Sequence, residues 1–200
     1  MWLRVSLAVF LVALGAWMLE AHARAGTQRK LSAVASELAG RPVSVRCQSL
    51  WADLFSINAN LGEVRFDAQG RPADSAWLTR ATCGYLHRFI SSHGADLECL
   101  KTVDWKGFHW DVPHDACVER AAREGQAVVT LAHESMHLRG VTSESQAQCL
   151  AEQATPSTVV QLGGDPATGP LLEQLARAWN PSMATQYQTA CPLPSTAPAG

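Results

Sequence analysis

Apolar and polar positions alternate or recur along the chain in a pattern that divides it into short elements. Thr27 to Ala39 carries apolar residues at helical spacing and is closed by Gly40, with Pro42 just beyond, so a short helix is predicted there. Val43 to Cys47 alternates with period two and reads as a strand. Gly62 to Asp67 alternates as well and runs into Gln69-Gly70, which predicts a second strand and a turn. Asp74-Ser75 is expected to cap a helix that buries Trp77, Leu78, Cys83, Leu86 and Phe89. Ser91 to Pro113 has no clear period. Asp115 caps a further helix, whose second half, Gln126 to Arg139, is stopped by Gly140. Ser143 opens another helix that is expected to end near Gln153. A Gly/Pro-rich loop over Pro156 to Pro170, a helix from Leu171 to Trp179 and a solvated tail over 192–200 complete the reading. Strand candidates followed by a run of helices, with no internal repeat, predict a single α+β domain over 26–191 in which a long helix packs on a small sheet.

The N-terminus changes the picture of where this domain works. Val5 to Leu19 is an uncharged apolar run preceded by Arg4 and followed by the small-x-small sites Ala21-His22-Ala23 and Ala23-Arg24-Ala25. That order is the signature of a secretory signal peptide over 1–25. The run is short for a permanent span, so cleavage near Ala25 is the expectation, and an uncleaved anchor over 2–19 is the alternative. The membrane enters only through this segment, and the expected location is secreted or extracytoplasmic.

Export in turn changes how the cysteines read. Six of them, at 47, 83, 99, 117, 149 and 191, lie after the apolar run and contain no C-x-x-C pair. They are expected to form disulfides, with fifteen pairings open. Sixteen basic against eighteen acidic residues leave a net charge of −2, which argues against a nucleic-acid partner.

Candidate chemistry sits in Thr130-Leu-Ala-His133-Glu134-Ser-Met-His137-Leu138. Four-residue spacing on a helix puts both imidazoles on one face, where they can share a zinc ion. Glu134, about 100° round the helix, can reach a water on that ion without being a ligand. The segment resembles the zincin metallopeptidases: Thr130 stands three residues before the first His, and Leu131, Ser135, Met136 and Leu138 are uncharged as that pattern asks, whereas Arg139 departs from it. The run from Thr130 to Cys149 is also similar to small exported bacterial proteins of this motif that lack an assigned substrate. The resemblance implies Zn²⁺ as cofactor, a peptide or protein as substrate, and Glu134 as general base.

A third ligand is needed. Gly140 matches the metzincin turn, but Ser143 stands where that family has its third His. Ser143-Glu-Ser-Gln146 reads as a capping box that places Glu144 in the first turn of a new helix, from which it can return to the histidines. Glu144 is therefore the expected third metal ligand, with His109, His114 and Glu152 as fallbacks. Tyr187, His109 and His114 are the candidate donors to a reacting oxyanion, with Tyr187 preferred. The competing function is a disulfide-stapled exported binding or structural domain whose zinc site is structural or vestigial.

Overall fold

A computed structural model describes residues 22–49, 61–105, 114–188 and 191. The apolar N-terminal run, His109 and the 192–200 tail lie outside these residues. The elements in order are helix α1 (22–39), strands β1 (Ser44–Cys47), β2 (Gly62–Phe66) and β3 (Pro72–Leu78), and helices α2 (Arg80–Ser92), α3 (Ala116–Leu138), α4 (Glu144–Leu162) and α5 (Gly169–Trp179). Short 3₁₀ turns span Ala95–Thr102, Pro166–Thr168 and Asn180–Ser182. The result is a single α+β domain, as the order of strand and helix signals predicts. Among the described residues no helix is long and apolar enough to cross a membrane.

The sheet has the order β1-β3-β2, with β1 parallel to β3 and β2 antiparallel to it. Its two edges are treated differently. On the β1 side, the Val43 and Val45 N–H groups donate to the hydroxyls of Ser36 (3.0 Å) and Ser32 (2.9 Å) on α1, so the helix covers that edge. β2 pairs with β3 alone among the described residues, which leaves its outer edge facing the cleft described below.

Asp74 and Ser75 do not cap a helix. They lie inside β3, where Ser75 pairs with Ser44, Ala76 and Leu78 alternate into the core, and Arg41 holds Asp74 by an ion pair. Period-two burial overrides the local cap signal. Thr79 is the cap, its hydroxyl accepting from the Thr82 N–H at 3.1 Å. Trp77 and Leu78 thus belong to the strand, while Cys83, Leu86 and Phe89 form the buried helical face as expected.

The second correction is the length of α4. It continues through Pro156 to Leu162, so the expected loop over Pro156 to Pro170 shrinks to Gly163–Asp165 and a 3₁₀ turn. A mid-helix proline costs about 3 kcal/mol. Here Thr155, Thr158, Val159 and Leu162 are all buried at helical spacing and outweigh it. Gly163, at φ +95°, then ends the helix in a left-handed turn.

α3 is the axis of the domain and touches α2, α4, α5, β2 and β3. Ala121, Val128, Leu131 and Leu138 lie on it fully buried. All six cysteines are paired: Cys47–Cys83 joins β1 to α2, Cys99–Cys117 joins the Ala95–Thr102 turn to α3, and Cys149–Cys191 joins α4 to the C-terminal segment. Three disulfides in so small a domain fit an oxidising, extracellular environment.

Candidate metal centre

The site is assembled by the end of α3, the turn after it and the first residue of α4. Gly140, at φ +108°, reverses the chain, and the Val141 N–H donates back to the Met136 carbonyl at 3.1 Å. Ser143 caps α4 by accepting from the Gln146 N–H at 3.4 Å. This short hairpin brings the Glu144 carboxylate over the histidine face of α3. Its Oε2 lies 3.0 Å from His133 Nε2 and 3.1 Å from His137 Nε2, and the two Nε2 atoms are 3.0 Å apart. A tetrahedral ion with bonds of about 2.0–2.1 Å spaces its ligands by about 3.3 Å.

The protons decide what such a cluster can hold. His137 Nδ1 donates to the Val141 carbonyl at 2.6 Å, so its Nε2 presents a lone pair to the centre. Glu144 Oε2 presents another, and its hydrogen bond with His133 holds the carboxyl pKa below the usual value. Burial pushes the His133 pKa down, which keeps that ring neutral and available as a donor of electrons. His133 Nδ1 is buried and without a hydrogen-bond partner. The cluster His133, His137 and Glu144 can hold a metal ion, and two converging imidazoles beside a carboxylate are the donor set for one.

Glu134 packs against β2. It is 5% exposed, and its Oε2 has no hydrogen-bond partner. Burial, then the charges of Glu144 and Glu63, push its pKa up to about 8. Gly62 is what makes room for it: a Cβ there would lie 2.6 Å from Glu134 Oε1 and 2.7 Å from its Cγ. The carboxylate therefore packs directly on strand backbone.

A cleft of about 440 Å³ opens above the cluster. β2 forms one wall through Gly62, Val64 and Phe66, and Trp179, Met183 and Tyr187 form the other. Phe66 stands edge-on to His137, with ring centroids 5.8 Å apart. Tyr187 lies 5.8 Å from the His133 ring, and desolvation raises its pKa. It is carried there by the segment that Cys191 pins to Cys149.

The structure thus brings Glu144 and Tyr187 to the two histidines and leaves the fallback residues His114 and Glu152 elsewhere. His114 precedes the first turn of α3, about 28 Å along the helix from His133. Glu152 is buried two turns below Glu144 and is hydrogen-bonded to Gln148 and Asn180. Sequence reasoning missed Gly62, Gln148 and Asn180, whose roles depend on contacts between distant segments. Compared with known proteins, the chain matches no family model, no curated protein and no solved structure.

Proposed function

We propose that this protein is an exported zinc-dependent hydrolase of the metallopeptidase type, cleaving peptide bonds with Glu134 as general base. The observation that carries the reading is the pairing of two unlike carboxylates in one cleft. Glu144 faces two imidazoles and has its pKa lowered, while Glu134 sits one residue from His133, buried, without an ion pair, and has its pKa raised. Environments that push two acids apart in this way assign one to charge and the other to proton transfer.

His133, His137 and Glu144 would hold the ion. Zinc held there would supply Lewis acidity, polarising a peptide carbonyl and making a water nucleophilic at neutral pH. Glu134 takes the proton of the attacking water and delivers it to the departing amine, and a pKa near neutrality suits both transfers. The Tyr187 hydroxyl donates to the oxygen on which negative charge develops. The outer edge of β2, unpaired among the described residues, offers N–H and C=O groups at strand spacing along which an extended peptide can lie as an added strand. The apolar walls exclude water from the scissile bond.

The test is metal content and peptide cleavage on four variants of the full oxidised chain. Glu134→Gln is expected to keep about one zinc per chain while turnover on a pooled peptide library falls by roughly a thousandfold or more. His133→Ala and His137→Ala lose the metal, and Glu144→Ala weakens its binding. A wild type that holds zinc yet cleaves nothing in the library would overturn the peptidase reading in favour of a binding domain.

A further inference from the structure

Beneath the cleft a line of polar groups runs from the metal cluster down one face of α4. Glu144, Gln148 and Glu152 follow one another at four-residue spacing and so line one face of α4. Glu144 joins the histidines, Gln148 lines the cleft, and Glu152 is 1% exposed below it. Glu152 Oε1 accepts from Gln148 Nε2 and from Asn180 Nδ2, both at 3.2 Å. The same Asn180 nitrogen spends its second hydrogen on the main-chain carbonyl of Tyr187, at 3.3 Å.

We infer that Glu152 and Asn180 are positioning residues that hold the Tyr187 wall of the cleft against α4. A carboxylate is an expensive group to bury, and an apolar contact would fill the same space. What an apolar contact cannot do is fix a particular carbonyl, and the carbonyl fixed here belongs to the residue whose ring stands against His133. The segment is fastened at its two ends to neighbouring turns of one helix: Asn180 to Glu152, and Cys191 to Cys149. Tyr187 lies between the fasteners. With the Asn180 bond gone, the segment keeps its covalent end, and the ring loses its register over the histidine. The consequence for turnover rests on the peptidase reading of this cleft; the fastening itself does not.

The experiment uses the full oxidised, zinc-loaded chain and reads three quantities: zinc per chain, turnover on the pooled peptide library, and hydrogen exchange of the fragment spanning 180–188. Asn180→Ala and Glu152→Leu are expected to speed exchange at the Tyr187 and Gln188 amides by about tenfold or more, with zinc unchanged. Turnover number falls about tenfold in both. Glu152→Gln, whose amide oxygen still accepts both bonds, is expected to restore exchange and turnover to within about threefold of wild type. In a Tyr187→Phe background, Asn180→Ala should cost no further turnover, because it acts through that ring. Wild-type exchange rates in Asn180→Ala would overturn the inference, as would effects that multiply with Tyr187→Phe, or a Gln variant no better than Leu. Should Glu152→Leu fail to fold, Asn180→Ala carries the same comparison. A wild type without peptidase activity sinks the proposed function alone, and the exchange rates then decide the fastening by themselves.

Discussion

Glu134 packs on Gly62 so closely that no Cβ fits between them, which ties a chemical group to a backbone position 72 residues away in sequence. A methyl group on Gly62 would overlap Glu134 from Oε1 back to Cγ, so the carboxylate would have to leave its place and not merely bend at its tip. With Glu134 as the proposed general base, a displacement of that size costs about a hundredfold in rate. Gly62→Ala is therefore expected to lose about two orders of magnitude in turnover on the peptide library while zinc content stays at wild-type level. Equal turnover in the two proteins would mean that Glu134 does not work from the position it occupies here.

Between residues and the whole domain, the helices show which signals were local and which were not. The α3–Gly140–α4 hairpin was legible because each of its parts announces itself in a few residues: Asp115 as cap, Gly140 as stop, Ser143 as the next cap. The three metal-cluster residues fall inside that hairpin, and so they could be named from the sequence. Tyr187 was only one candidate among three, because its place depends on which cysteine Cys191 finds. β3 was misread since its Asp74-Ser75 pair is a good cap in isolation, and only pairing with β1 and β2 makes a strand of it.

Pro156 was misread for the same kind of reason. Its role shows at the start of α5, where a Cβ on Gly169 would lie 2.8 Å from the Pro156 Cα. The two helices approach so closely there that only hydrogen fits. Gly169→Ala is expected to lower stability by about 1–3 kcal/mol despite the better helix propensity of alanine, because the clash is with backbone. Denaturant unfolding monitored by circular dichroism measures it, and a variant as stable as wild type would show that the helices can part without cost.

The molecule as a whole leans on its cross-links. Loops of 36, 18 and 42 residues are closed by the three disulfides. On the chain-entropy model each is worth about 3–4 kcal/mol, together on the order of 10 kcal/mol. That is comparable with the entire stability of an ordinary domain, about 5–15 kcal/mol. Reductant is thus expected to unfold the protein at 25–37 °C without denaturant, and intact mass should rise by about six hydrogens on reduction, two for each bridge. Retention of native circular dichroism after complete reduction would show that the core suffices by itself.

The three metal-cluster residues span only twelve positions, 133 to 144, whereas the walls of the cleft come from residues 61–66 and 179–187. Closing a loop this short costs little chain entropy, so the pair of helix ends can gather an ion while the sheet and the C-terminal segment are still unformed. Pairing β1 with β3 across thirty-one residues, Ser44 to Ser75, is a slower event by its topology. The order of assembly that follows is hairpin first, cleft walls afterwards: on folding, the chain passes through a stage whose three ligand side chains are already gathered while the groove beside them has yet to form.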